Sequence, residues 1–155
     1  MRRLLALTLF LTAAAPAQAQ VSFAPTVGYD ERGQAPTLGL ALEAGAPLYG
    51  VPLQPSVRAL VEYVFGQEDT FSRDPIDVIH ANLDLIGRFG GGYSALSPYA
   101  KGGLTLTSIS GRRLDPDVEV AASLGGGLEA SRFFAEGEYA FGDFGGIRAR
   151  VGYRF

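Results

Sequence analysis

The chain has 155 residues, no cysteine, and 13 basic against 16 acidic residues, for a net charge of −3 at pH 7. With no thiol there is no thiol catalysis, no thiolate metal site and no disulfide. The acidic balance makes the protein a poor partner for nucleic acid.

The first segment is a targeting signal. Met1 is followed by Arg2 and Arg3, an apolar run from Leu4 to Ala15, and small residues ending in Ala17-Gln18-Ala19. These are the three regions of a secretory signal peptide, with cleavage near Ala19. The apolar run is too short for a membrane helix, which takes roughly 20 residues, and it ends in a proline. Residues 1–19 are therefore expected to be removed, leaving residues 20–155 as one domain. Cleavage also removes two arginines, so the mature chain keeps 11 basic residues against 16 acidic ones, a net of −5 with His80 neutral. No later stretch is apolar enough for a spanning helix.

Beyond the signal, helical periodicity is nearly absent and alternation recurs. Eight strands are expected, over 21–29, 36–46, 55–66, 76–89, 97–110, 117–130, 132–141 and 146–155. Their lengths suit strands that cross a bilayer at a tilt, which need about 9–11 residues in the apolar zone. Turn chemistry marks the breaks: Gly33 in 30–34, three prolines in 46–55, a polar stretch over 66–75, Gly90-Gly91-Gly92, Leu114-Asp115-Pro116-Asp117, and Gly142-Asp143-Phe144-Gly145. Neither glycine triplet, 90–92 or 125–127, opens a helix, so neither is a phosphate loop. Gly125-Gly126-Gly127 is expected to serve strand twist and barrel bends.

Each strand separates its residues by chemistry. One face of the third carries Val57, Ala59, Val61, Tyr63 and Phe65; the fourth gives Ile79, Ala81, Leu83, Leu85, Gly87 and Phe89. The second, fifth, sixth and seventh strands behave alike, and no charge falls on the apolar faces so assigned. The opposite faces collect Glu43, Glu62, Asp84, Glu119, Glu129, Glu136 and Glu138 with Arg58, Arg88, Lys101, Arg148, Arg150 and Arg154, and also His80.

A soluble barrel turns its apolar face inward, and a membrane barrel turns it outward. Three features select the membrane barrel. The apolar face is rich in Gly and Ala, which fill a core poorly. Aromatics gather at the strand ends, with Phe23, Phe89, Phe133, Tyr153 and Phe155 at one rim and Tyr29, Tyr63, Phe65, Tyr139 and Phe141 at the other, as in two interfacial girdles. The last strand, Gly146-Ile-Arg-Ala-Arg-Val-Gly-Tyr-Arg-Phe155, alternates to its final residue and ends on an aromatic.

These residues resemble the small outer-membrane β-barrels of the outer-membrane protein A and X type. The resemblance covers the whole mature chain and is one of pattern. It implies an all-β fold, an eight-stranded antiparallel up-and-down transmembrane β-barrel in the bacterial outer membrane, surrounded by outer-membrane lipids and inserted by the barrel-assembly machinery. In that group the last strand carries an assembly signal, to which Tyr153 and Phe155 correspond. Arg148 fits its polar position, whereas Arg150 stands where the family has glycine.

The interior of an eight-stranded barrel is just wide enough for side chains to fill it. Opposed charges there must pair, because an unpaired buried charge is costly. A lumen network of Arg58, Glu62, Asp84, Arg88, Lys101, Glu129, Glu136, Glu138, Arg148, Arg150 and Arg154 is expected, with Glu136 and Glu138 reaching Arg148 and Arg150 across a hairpin. His80 shares its face with Asn82 and Asp84. No serine is spaced to join it on that strand, and Ser108 and Ser110 lie on a neighbour of unknown register. His80 is read as a satisfied lumen histidine; no catalytic residue, cofactor or metal is expected.

The expected function is a non-enzymatic, monomeric structural barrel of the envelope, porin-like in architecture, with a plugged lumen and short outward loops at 30–35, 67–75, 111–116 and 142–145. The alternatives are a lipid A-modifying acyl hydrolase or acyltransferase, a narrow channel, and a soluble secreted carrier barrel. Glu68, Asp69, Asp74, Asp115 and Asp117 give the outer rim a negative field.

The chain end carries the first test. Deleting Phe155 should sharply lower the yield of outer-membrane protein and trap the chain in the periplasm, measured by cell fractionation. A yield equal to wild type would remove any signalling role from the terminal aromatic.

Overall fold

The computed structural model describes residues 20–45, 53–68, 75–89, 96–111, 114–143 and 145–155. The signal-peptide expectation for residues 1–19 and the glycine turn at 90–92 lie outside them. Eight strands occur among the described residues: β1 (Gln20–Asp30), β2 (Ala35–Gly45), β3 (Leu53–Glu68), β4 (Pro75–Phe89), β5 (Ser97–Gly111), β6 (Leu114–Ala130), β7 (Phe133–Ala140) and β8 (Gly146–Tyr153). Each pairs antiparallel with its neighbours in sequence, and β8 returns to β1 to close the barrel.

Closure is what the sequence most needs. Every strand has a partner on both edges, so no row of backbone N–H and C=O groups is left open. Two described turns are tight. Asp30 Oδ1 accepts the amides of Arg32 and Gly33 at 2.9 and 3.3 Å and shapes the β1–β2 turn. Ser131-Arg132 alone joins β6 to β7, and Ser131 takes a φ of +56° to reverse the chain in two residues.

Two expected outward loops are shorter than the turn chemistry suggested. The β3–β4 ladder runs on to Glu68↔Pro75, past an irregularity between Val64 and Gln67 where Gly66 takes a φ of +69°. The β5–β6 ladder runs on to Gly111↔Leu114, so residues 114–116 are strand rather than loop. Pro116 lies beside the register shift between Ile109 and Gly111, where a missing N–H is tolerated.

The polarity is inverted relative to a soluble protein. Leu40, Leu42, Val61, Leu83, Leu104, Val120, Leu124 and Val151 are each more than half exposed, while Arg58, Glu62, Asp84, Arg148 and Arg150 are no more than 3% exposed. An apolar wall around a charged interior is stable only where the surroundings are hydrocarbon. A soluble carrier with an apolar pocket needs the reverse arrangement. Aromatic pairs mark both rims: Phe23 stacks on Phe155 at 4.9 Å, and Tyr63–Phe65 and Tyr139–Phe141 meet edge-on at 4.9 and 5.0 Å.

Charge on that wall should therefore be excluded. Leu83→Arg or Val61→Arg, near mid-strand, should cost about 2–4 kcal/mol and block insertion. The readout is the heat-modifiable folded band in the outer-membrane fraction, and undiminished insertion of both variants would overturn the membrane orientation.

Candidate functional site

The lumen is the one place where charged side chains converge among the described residues. Alternation dictates which residues arrive there: even-numbered positions of β1, β3, β4, β7 and β8, and odd-numbered positions of β2, β5 and β6, face inward. Space is made by inward glycines. A side chain at Gly127 would lie 2.7 Å from the Tyr99 ring, and one at Gly152 would overlap the ring of Phe134. The middle of the glycine triplet, Gly126, faces the lipid side instead.

Three charged layers follow from the end of the barrel that holds Gln20 and Phe155 toward the opposite end. The first is a ring of alternating charge. Arg88 reaches Glu129 at 2.9 Å and also meets Glu43, while Arg154 reaches Glu43 at 3.2 Å and also meets Glu129. Ser56 donates to Glu43 and accepts from Arg88, both at 2.7 Å. The ring borders a vestibule of about 230 Å³. Above it Phe134, Tyr99, Ile86, Leu60, Ala24 and Ala41 form an apolar layer, and Arg154 and Arg88 lie 5.9 Å from the rings of Phe134 and Tyr99.

The second layer is the centre of the network. Arg150 meets three carboxylates: Glu138 at 2.7 Å, Glu136 at 2.8 Å and Glu62 at 2.8 Å. The contact with Glu62 is an ion pair not aligned as a hydrogen bond. Lys101 meets Glu136 at 3.1 Å, Asp84 at 3.2 Å, and Glu138. Arg58 reaches across the barrel from β3 to Glu136 on β7 at 2.7 Å, and lies 3.5 Å from Asp84. Tyr99 donates its hydroxyl to Glu136 and Asn82 donates to Glu138 at 3.1 Å. Four basic residues, Arg58, Lys101, Arg148 and Arg150, thus face four acidic ones, Glu62, Asp84, Glu136 and Glu138. That equality lets each buried charge find an opposite partner and keeps the cost of desolvation from standing uncompensated.

The register of β7 and β8 sets Glu138 opposite Arg148 and Glu136 opposite Arg150. Adjacency is not the strongest contact, however. Arg148 lies 3.5 Å from Glu138, farther than Arg150 does, and also 3.7 Å from Asp30. Glu119 belongs elsewhere: half-buried at the outer end of β6, it accepts the amide of Asp143 at 2.8 Å in the β7–β8 turn.

Of the third layer only His80 was legible in the sequence, as a lumen histidine, and its partners were not. His80 Nε2 lies 2.9 Å from Asp30 Oδ2, and His80 Nδ1 lies 3.0 Å from the Thr107 hydroxyl. Register explains this partner. His80 stands opposite Thr107, while Ser108 stands opposite Ile79 on the lipid-facing side, so no serine joins the imidazole. Asp30 was expected in a loop, and its role depends on a contact 50 residues away. Over this layer Ala35, Val64 and Val78, with Ile76 and Ile109, form an apolar cap, and Gln67 ties β3 to the turn by donating to the Gly33 carbonyl at 2.7 Å.

The chemistry available is limited. Carboxylate, imidazole and hydroxyl are aligned, but Thr107 is buried beneath the cap. Both His80 and Thr107 also sit in paired strands, so their amides offer no oxyanion site. No cluster of three or more metal-binding side chains occurs among the described residues.

The barrel is similar to the N-terminal β-barrel domain of Pseudomonas aeruginosa OprF, at 20% identity and a TM-score of 0.60, covering 89% of this chain and 100% of that one. The chain has the fold of the small outer-membrane β-barrels. It is also similar to the outer membrane enzyme PagL, at 14% identity and a TM-score of 0.56, over 86% of this chain and 98% of that one. The Yersinia pestis outer membrane protein Ail matches at 15% identity and a TM-score of 0.54, over 89% and 100%. No family model matches the chain, and no curated protein matches it in sequence. Because this fold carries an enzyme as well as other proteins, fold alone assigns no activity.

The contact geometry ranks the arginines. Arg150→Ala takes a partner from three carboxylates and leaves Glu62 without its ion pair, and should cost a few kcal/mol, more than Arg148→Ala or the rim change Arg154→Ala. The double change Arg150→Ala with Glu138→Ala should cost less than the sum of its parts. Urea unfolding in lipid vesicles measures both; simple additivity would mean that the pair is screened by water and not coupled.

Proposed function

We infer that the protein is a monomeric structural barrel of the bacterial outer membrane, non-enzymatic and closed to ions, inserted by the barrel-assembly machinery and exported by its signal segment. The observation that carries this reading is the filled cross-section. Arg58, Lys101 and Arg150 reach through the lumen to carboxylates on non-adjacent strands, and each is no more than 4% exposed. An ion following that path would have to displace a paired charge, at the cost of leaving its partner unpaired in a buried interior. The short outer turns leave little surface for a large protein partner, so the contribution is to the integrity of the envelope. In planar bilayers the purified protein should give no discrete conductance steps. A stable single-channel conductance would replace the plugged barrel with an open lumen.

One observation favours a second reading, an acyl hydrolase acting on lipid A: the Asp30–His80–Thr107 alignment. Its position inside the lumen, away from the lipid-facing wall, weighs against it. Cells making the protein should show lipid A of unchanged mass. Loss of an acyl chain that Thr107→Val abolishes would establish the enzyme instead.

A further inference from the structure

The strands β1 and β8 meet at the closing seam of the barrel. Their ladder runs from Asp30↔Arg148 to Thr26↔Gly152. At its outer end the Glu31 amide donates to the Ile147 carbonyl at 3.0 Å, and at the other end the Phe155 amide donates to the Phe23 carbonyl at 2.9 Å. The main-chain groups of β1 that face β8 are therefore those of odd-numbered residues. Pro25 stands in that series and has no N–H to give. The same register sets it opposite Tyr153, so the seam lacks one bond of its ladder there.

The gap coincides with a recess of about 270 Å³ on the outer wall. Its sides are apolar: Pro25 and Val27 from β1, Val151 and Tyr153 from β8, and Phe133 from β7. The Phe133 and Tyr153 rings meet edge-on at 4.8 Å along one margin, within the aromatic rim at the end where Gln20 and Phe155 lie. One residue before Phe133, in the β6–β7 turn, Arg132 is exposed, and its guanidinium has no hydrogen bond or ion pair among the described residues. Every other described arginine side chain bonds to a carboxylate or, for Arg32, to a carbonyl.

We propose that the seam recess and Arg132 together hold one anionic phospholipid of the periplasmic leaflet, an acyl chain lying in the recess and the phosphate headgroup on the guanidinium. On a convex stretch of wall a lipid chain makes contact on one side only. In the recess the chain is flanked by β1 on one side and by the Phe133–Tyr153 pair on the other, which multiplies its dispersion contacts. An unpaired guanidinium one residue beyond the aromatic rim stands at headgroup depth. Its planar donors suit a phosphate better than a lysine would, and its charge favours lipids of net negative charge.

The proposal rests on the reading of the chain as a membrane barrel with periplasmic termini, and the experiment separates the two. The full chain is folded into nanodiscs containing equal parts of palmitoyl-oleoyl phosphatidylglycerol and phosphatidylcholine, and the lipids retained on release are counted by native mass spectrometry. Wild type should keep one phosphatidylglycerol per barrel. Arg132→Gln should lose the preference for phosphatidylglycerol over phosphatidylcholine. Val151→Phe, which fills the recess from the lipid side, should lose the retained lipid altogether. Both variants should keep the heat-modifiable band, since neither residue contacts the lumen network. Retention that either substitution leaves unchanged, or a wild type that keeps no lipid, overturns the proposal. A wild type that never gives a heat-modifiable band overturns the barrel reading and this one with it.

Discussion

Hydrocarbon accepts no hydrogen bonds, and every other property of this chain follows from that. A strand in lipid must give both of its edges to neighbouring strands, so the sheet can end only by meeting itself. Closure of β8 on β1 then fixes which residues point where. Alternation sends Leu83 and Val61 into the lipid and Asp84 and Glu62 into an enclosed column. The charges are not inside because charges like interiors. They are inside because the outer wall forbids them and the diameter of eight strands leaves no other place.

The lumen solves the problem this creates by matching numbers and lengths. Equal counts of acid and base fill its centre, and the long reach of arginine and lysine lets a β3 or β5 residue contact a carboxylate on β7. Glycines at 127 and 152 yield the room that Tyr99 and Phe134 take up. The apolar layer of Phe134, Tyr99 and Ile86 between rim ring and central network keeps the two groups of ion pairs distinct. A buried pair contributes little net stability over an apolar substitute, so specificity is the better account of why so many are present: each pair is satisfied in one register of the strands and unsatisfied in a slipped one.

Much of the fold was legible because a period of two is hard to mistake over eight strands. Faces, strand number and the aromatic rims could all be read from side-chain type. What escaped was set by contacts between strands. Leu114-Asp115-Pro116 carries turn chemistry, yet it is strand because β5 offers it a partner. Asp30 looked like a turn residue and is one, through its Oδ1; its Oδ2 serves His80, and nothing local announces that. Nothing in the residues around Thr107 marks it as the partner of His80. Only the register, His80 opposite Thr107, reveals the hydroxyl actually in reach.

The ion pairs that cross the lumen join residues far apart in the chain: 78 positions separate Arg58 from Glu136, and 111 separate Arg154 from Glu43. No single hairpin contains either pair, and Arg154, next after β8, meets Glu43 on β2 only across the closing seam. Their attraction therefore does nothing for the pairing of single hairpins and acts only late in assembly. Interactions absent from the transition state slow the way out without hastening the way in. The lumen is in this sense a lock set after closing, and the persistence of the barrel once inserted is a matter of kinetics as much as of equilibrium.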